Sequence, residues 1–342
     1  MPPDLSLAPG ARPSAHQKLT LYAGGALVVL IVLVIIALSS RVQRRPLSLV
    51  PKGQREVQVV DMRRFLRSPI YQMLCAAEHP IARHLEAIEQ DYNVDLDHDV
   101  ALVVDTDDST ILIGRFDARR MRDSFEEAIE DKEKDINRGR ATPIHLEILD
   151  GDVEGYTYLY CNQEGVDRAF ATVGSAVACF GDRWGVRRFL KAKAGLRDRV
   201  LDDPSMAAAY SPSLARGALL YRLEKPSGKI LASKLKDVLG SAGAGVVGAF
   251  FAVNTTRDAV QLTIRLAARD AAAAQSLQEQ LDRSATQAVL GPLLGLDTAA
   301  RVERSGVIVT LASVVPLSKF EEIVVKDKNG QAPNLVLSLI AN

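Results

Sequence analysis

The fold of this chain is decided by the stretch Asp99-Val-Ala-Leu-Val-Val104, Asp105-Thr-Asp-Asp-Ser109, Thr110-Ile-Leu-Ile-Gly-Arg-Phe116. Two apolar runs rich in β-branched residues flank a short polar segment, a pattern typical of two strands joined by a tight turn. The sequence therefore predicts a β-hairpin here, and it predicts that an amphipathic helix begins near Ala118.

The same order of elements recurs farther along the chain. A second apolar run, Val247–Val253, precedes a polar turn and the strand Val260–Leu266. Gly114-Arg-Phe-Asp-Ala-Arg119 lies 150 positions before Ile264-Arg-Leu-Ala-Ala-Arg269, and an arginine, an alanine and a second arginine are identical in register. Repetition of both order and residues predicts an internal duplication.

Strands and amphipathic helices flank both hairpins, so each copy reads as strand, helix, hairpin, helix and further strands. This pattern predicts an α+β fold with an N-terminal transmembrane helix and two repeated modules, each an antiparallel sheet with helices on one face. The predicted segments are a polar tail (1–18), a transmembrane helix (19–40), a basic extended spacer (41–55), module 1 (56–196), a linker (197–216), module 2 (217–325) and a C-terminal tail (326–342).

The uncharged run Leu19–Ser40 is long enough, at about 1.5 Å per residue, to cross a hydrocarbon core of about 30 Å. We therefore expect contact with membrane lipid through residues 19–40. A cleaved signal peptide is the alternative, because Ala37-Leu-Ser39 offers small residues near a possible cleavage site.

More basic residues follow the run than precede it, and the positive-inside rule then favours a cytoplasmic C-terminal part. The cluster Arg41-Val-Gln-Arg-Arg45 would in that orientation contact anionic headgroups.

Composition excludes some functions. The 42 basic residues equal the 42 acidic ones, aromatic residues make up 5%, and no basic stripe interleaves with them, so nucleic acid is not an expected partner. Cys75, Cys161 and Cys179 are odd in number and lack C-x-x-C spacing, which argues against a zinc site. They read as small core residues, or as one disulfide and one free thiol after export.

Between about Val50 and Val325 the chain resembles a family of uncharacterised bacterial envelope proteins with an N-terminal anchor and duplicated α+β modules. The matching pieces are Val50-Pro51, Asp61–Pro69, Asp95–Val100, Gly114–Asp117, Val173–Ser175 and Leu201–Ser205. The resemblance implies fold, anchoring and export, and no active-site residue. It favours a bacterial inner membrane protein whose C-terminal domain is periplasmic, against the count of positive charges.

Glycine and serine motifs have structural explanations. Gly243-Ala-Gly245-Val-Val-Gly248 matches G-x-G-x-x-G but is predicted to follow a helix and lead into a strand, the reverse of a dinucleotide site. Ser233-Lys-Leu-Lys236 matches S-x-x-K without the companion motifs of that enzyme class.

The acidic and histidine motifs also have structural explanations and do not predict a metal site. Asp95, Asp97 and Asp99 alternate as in a calcium loop, but the sixth and twelfth positions of that loop do not fit, so an acidic turn before a strand is the better interpretation. His79 and His84 are five apart across a proline and do not share a helical face, so they read as solvated or helix-capping side chains. We assign no catalytic, cofactor-binding or metal-binding residue and expect no cofactor.

The sequence favours a single-pass, non-catalytic envelope protein that presents a duplicated domain to protein partners. A carrier or sensor of an apolar, lipid-like ligand is the alternative, and a hydrolase of unfamiliar type is a further one. The alternatives differ in one observable: a carrier needs a lined cavity between sheet and helices, whereas a scaffold is packed at ordinary density.

Overall fold

A single antiparallel sheet lies at the centre of the protein. The structure, a computed structural model, describes residues 45–286, 300–328 and 335–341. Within these ranges the strands are β1 Glu56–Asp61, β2 Val100–Thr106, β3 Ser109–Gly114, β4 Leu149–Val153, β5 Tyr156–Gln163, β6 Val166–Val173, β7 Val177–Gly181, β8 Leu220–Glu224, β9 Val246–Thr255, β10 Ala259–Ala268, β11 Arg301–Ser305 and β12 Ile308–Pro316.

The strand order across this 12-stranded sheet is β11-β12-β10-β9-β8-β1-β2-β3-β7-β6-β5-β4. Both predicted hairpins are present, as β2–β3 and β9–β10. Strands β1 and β8 pair with each other at the centre, and the order of elements is similar when it is followed outward from them in either direction.

The described α-helices are α1 Arg45–Leu49, α2 Met62–Leu66, α3 Pro69–Ala76, α4 Pro80–Tyr92, α5 Ala118–Asn137, α6 Arg183–Lys193, α7 Pro204–Ala209, α8 Pro212–Gly217, α9 Lys236–Leu239, α10 Ala271–Thr286, α11 Leu317–Lys328 and α12 Leu335–Ala341. The general prediction of an α+β fold with an antiparallel sheet and helices is thus confirmed. Between β1 and β2, α3 and α4 are separate helices because Glu78 takes a positive φ of 49° before Pro80.

Helices cover both faces of the sheet, so the prediction of helices on one face was wrong. One core, which we call the first face, contains Phe125 of α5 and Phe320 of α11. The other, the second face, contains Phe189 of α6 and Met206 of α7. The physical reason is that the central strands are apolar at consecutive positions, and β8 is buried along its whole length.

The division into separate modules also differs from the prediction. One sheet runs through both predicted modules, and residues 46–342 form one compact unit. The expected linker contains α7 and α8, and the expected extended spacer contains α1 with Leu47 buried. The last apolar stretch of the C-terminal segment forms the buried helix α12. Apolar residues in these short segments are sufficient to dock them on the sheet.

The predicted transmembrane helix over 19–40 lies outside the described residues. Among the residues that are described, none of the helices has the length and apolar character needed to cross a bilayer.

Candidate functional site: an apolar cavity with a polar end

A cavity of about 490 Å³ lies on the first face, between the sheet and the helices α2, α4 and α12. A volume of this size falls in the range of small-molecule sites, about 300–1,000 Å³, and is far above the about 10–15 Å³ needed by one water. Its lining residues are Gln58, Val60, Met62, Phe65, Pro80, Ile81, Leu85, Ile88, Leu96, Val103, Asp105, Thr110, Leu112, Phe180, Leu220 and Ile340.

The walls of the cavity are almost entirely apolar. Ile81, Leu85 and Ile88 of α4 recur at helical spacing and so present one face of that helix to the cavity. Val60 of β1 and Val103 of β2 are cross-strand partners on the floor. An apolar molecule would therefore be removed from water on all sides that these residues line.

Three polar side chains form one end of the cavity and belong to a row that crosses four strands. Arg222 of β8 is opposite Gln58 of β1, Gln58 is opposite Asp105 of β2, and Asp105 is opposite Thr110 of β3. Cross-strand partners lie on the same face of a sheet, so we call these four residues the polar row. Thr110 Oγ1 donates to Asp105 Oδ1 at 2.6 Å.

Arg222 anchors the polar row. Its Nη1 donates to Gln58 Oε1 at 3.1 Å, its Nη2 to Glu56 Oε2 at 2.5 Å and its Nε to Glu224 Oε1 at 2.6 Å. Arginine has only donors, so the contact with Gln58 requires the amide oxygen and leaves the Nε2 amide as the donor that Gln58 offers to the cavity.

The two carboxylates beside Arg222 differ in their environment. Burial alone would raise the pKa of Glu56, but the Lys229 N–H and the Arg222 guanidinium outweigh it and hold that pKa below its ordinary value. Burial raises the pKa of the fully buried Glu224 in spite of Arg222 and the N–H groups of Ile230 and Leu231. The deeper burial of Glu224 explains the opposite directions.

His79 holds the start of the cavity helix α4. It is 4% exposed, its Nδ1 accepts from the Ile81 N–H at 3.3 Å, and its Nε2 lies 3.2 Å from Asp327 Oδ2. A neutral ring with its proton on Nε2 satisfies both contacts. His79 is therefore a buried capping residue, not a solvated one, while the side chain of His84 lies outside the described residues.

The glycine motif has the position predicted for a structural turn. Gly243 and Gly245 lie in a 3₁₀ turn, Gly240–Gly245, that leads from α9 into β9. A Cβ on Gly248 would lie 2.5 Å from the carbonyl oxygen of Ser205 in α7. These glycines permit close packing and do not form a phosphate loop at the start of a helix.

The acidic and serine motifs form local contacts. Asp95 accepts from the N–H of His98, which lowers the pKa of Asp95, while Asp97 pairs with Arg67 at 3.1 Å. Ser233 donates to the carbonyl of Lys229 and not to Lys236. In the part of the chain that is described, no group of three or more metal-ligating side chains is placed to hold an ion.

The cysteines are not bonded to one another. Cys161 and Cys179 are buried core residues, and Cys75 is exposed. Burial raises the pKa of the Cys179 thiol far above its ordinary value, and that of Cys161 more modestly. Two of the three cysteines are therefore core residues, as expected, and Cys75 is not. The alternative with one disulfide is not observed.

The sequence raised a cavity between sheet and helices only as the mark of the carrier alternative, and it identified neither the residues that line the cavity nor the polar row. The available signal was the presence of polar residues, among them Gln58 and Arg222, at alternate positions of two segments that read as strands with apolar neighbours. Asp105 was assigned to a turn, but it lies in β2 with its side chain at the cavity.

No known protein family and no curated protein matches the sequence of this chain. Solved structures of TP0453 are similar at 11% identity: crystal form III has a TM-score of 0.44 and covers 82% of this chain and 97% of that one. Crystal form I has a TM-score of 0.43 and covers 83% and 97%, and crystal form IV a TM-score of 0.39 with 82% and 96%. Likeness at this level carries no argument about this chain's function.

Proposed function

We propose that the protein binds an apolar ligand with one polar group, in the cavity between the first face of the sheet and α2, α4 and α12. The observation that carries this proposal is a cavity of about 490 Å³ with apolar walls and one polar end. Among the described residues that line it there is no serine, cysteine or histidine, so the cavity supports binding better than hydrolysis.

The ligand's polar group would lie at the polar row. Asp105 supplies carboxylate acceptors and Gln58 an amide donor, which Arg222 holds in one orientation. A hydroxyl or amine on an otherwise apolar body matches these groups, because an unpaired polar group buried in the cavity would be unfavourable. A carrier or sensor of lipid-like molecules is the class of function that this chemistry serves.

The proposed cellular location of this protein is based on its sequence. We propose a single-pass protein of the bacterial inner membrane, anchored through residues 19–40, with the described part on the periplasmic side as the family resemblance suggests. The order of strands outward from β1 and β8 supports an origin of the described part in two repeated modules. Presentation of the domain to a protein partner stays a prediction.

Binding of 1-aminoanthracene, which brightens in apolar surroundings, tests the proposal on the full chain in detergent. Above the brightening that the detergent alone gives, we expect a saturable increase with the unaltered protein and none when Val60→Phe and Val103→Phe fill the cavity floor. Val314→Phe with Val325→Phe is the matched control, because both residues are about half exposed (51% and 48%) and neither lines the cavity. Equal brightening of all three proteins would refute a ligand site in this cavity.

Asp105→Asn tests the polar end in the same assay. We expect it to weaken binding of 1-aminoanthracene by roughly tenfold or more, the effect of losing a hydrogen bond to a charged group, and to leave the binding of anthracene unchanged. Asp107→Asn is the control, because Asp107 contacts Arg55 outside the cavity. Equal loss for both probes would mean that Asp105 supports the fold and does not contact the ligand.

A further inference from the structure

The surface of α6 differs in charge from the rest of the protein. This helix carries five basic residues and no acidic one, in a chain whose basic and acidic residues cancel. Part of this charge is compensated, because Asp108 pairs with Arg188 of the helix at 2.7 Å and Asp182 caps the Gly185 N–H at its start. Asp198, beyond the end of the helix, pairs instead with Lys52 at 3.2 Å, so basic residues of the helix remain in excess. The field of the helix is therefore positive.

The same surface exposes two large apolar side chains. Trp184 is 57% exposed and Leu196, in the loop after α6, is 58% exposed. Trp184, Arg187 and Lys191 follow one another at i, i+3 and i+7, so they lie on one face of the helix. The Arg197 guanidinium lies 5.8 Å from the centroid of the Trp184 ring. We call this surface, Trp184 to Arg197, the basic-aromatic face.

The basic-aromatic face lies beside the point where the described chain begins. Val200 donates its N–H to Val50 O at 2.9 Å, Lys52 donates its N–H to Asp198 O at 2.8 Å, and Arg188 donates to Lys52 O. Residue 46 follows Ser40, the end of the predicted membrane run, by only six positions. Fully extended, six residues reach about 20 Å, so an anchor at residues 19–40, on which this inference rests, would tether residue 46 within about that distance of the bilayer.

We propose that the basic-aromatic face docks on an anionic lipid bilayer, with Trp184 and Leu196 at the level of the headgroups. Tryptophan is enriched at membrane interfaces, and basic residues near an anionic surface are attracted to it. The combination of exposed apolar side chains, excess positive charge and proximity to the predicted anchor fits a bilayer better than an acidic protein. The cavity lies on the first face of the sheet and α6 on the second, so docking would leave the cavity uncovered by lipid.

Trp184 itself supplies the measurement, because it is the single tryptophan of the chain. We reconstitute the full chain in vesicles of phosphatidylcholine, with and without phosphatidylglycerol, and record the emission of Trp184. The expected result is a shift to shorter wavelength and quenching by brominated lipids in the anionic vesicles, both reversed by salt.

Arg187→Gln with Lys191→Gln removes two charges while keeping much of each side chain. Each basic residue near an anionic surface strengthens binding about five-fold to six-fold, so the loss of both charges should weaken docking roughly thirty-fold. Lys132→Gln with Lys326→Gln is the control, since both residues are exposed on helices of the first face. The proposal is overturned if Trp184 emission is the same in both lipid compositions, or if the neutralised protein docks as well as the control.

Discussion

Arg222 shows what a single buried charge does in this fold. Its side chain is 1% exposed and uses all three guanidinium nitrogens on Glu56, Glu224 and Gln58. Charged groups buried so deeply are tolerated because each finds partners in the sheet. Glu224 also accepts from the N–H groups of Ile230 and Leu231, so the network fixes the start of a π-helical turn as well.

Removal of Arg222 should therefore be costly. Arg222→Met leaves the buried Glu224 without its cation and leaves Glu56 with Lys229 alone, and we expect a loss of about 3–5 kcal/mol in the free energy of unfolding. Urea denaturation monitored by circular dichroism measures this loss. Arg122→Met removes an exposed partner of Glu126 and should cost at most about 1 kcal/mol. Equal effects of the two substitutions would mean that the Arg222 network is solvated in solution.

At the scale of residues, the sequence predicted the features that depend only on residues nearby in the chain. The glycine motif, the acidic turn at Asp95 and the core positions of Cys161 and Cys179 all follow from neighbours along the chain. The polar row does not, because Gln58 and Arg222 are 164 positions apart and meet only when β1 pairs with β8. Long-range register decides that contact, and polar residues within each strand do not reveal which strand is the partner.

The helix α12 shows how a short element is held in place. Leu335, Val336, Leu337 and Leu339 are at most 1% exposed, and Ile340 lines the cavity. A helix of seven residues is not stable alone in water, so burial of these side chains is what stabilises it. It therefore serves as part of the cavity's cover and not as a free tail.

Truncation of one buried side chain in α12 tests its docking. Leu337→Ala should lower the free energy of unfolding by about 2–5 kcal/mol, because it removes a fully buried side chain and leaves a void. Val325→Ala, in the exposed part of α11, is the matched control and should change it by less than about 0.5 kcal/mol. If both variants unfold at the same urea concentration, α12 is not docked in solution.

At the scale of elements, hydrophobic periodicity predicted α5 and the two central hairpins well. It failed for the linker and the spacer, where α1, α7 and α8 are too short to show a full period. The predicted linker contains Pro204 and Pro212, and each occupies the first turn of a helix after an Asp or Ser cap.

The pairing of β1 with β8 makes the predicted modules depend on each other. The second face buries α7 against β9, and α11 of the second half holds His79 of the first. If the two halves separated, the paired edges of β1 and β8 and the apolar side chains around them would be exposed to water. Each half therefore needs the other to bury its core.

We therefore expect residues 46–342 to unfold as one cooperative unit. Heating should give a single calorimetric transition that coincides with the loss of circular dichroism. Glu154→Gln, in an exposed turn, is a suitable reference variant that should leave this behaviour unchanged. Two resolved transitions would indicate that the two predicted modules unfold independently.

The sheet is open, and its outermost strands decide how the molecule behaves at high concentration. Strands β11 and β4 have five residues each, and both carry charges: Arg301, Glu303 and Arg304 on one, Asp150 and Asp152 on the other. Short, charged edges discourage the addition of further strands and so act against fibril growth. Copies of a protein with two such edges can be crowded together without their sheets joining edge to edge.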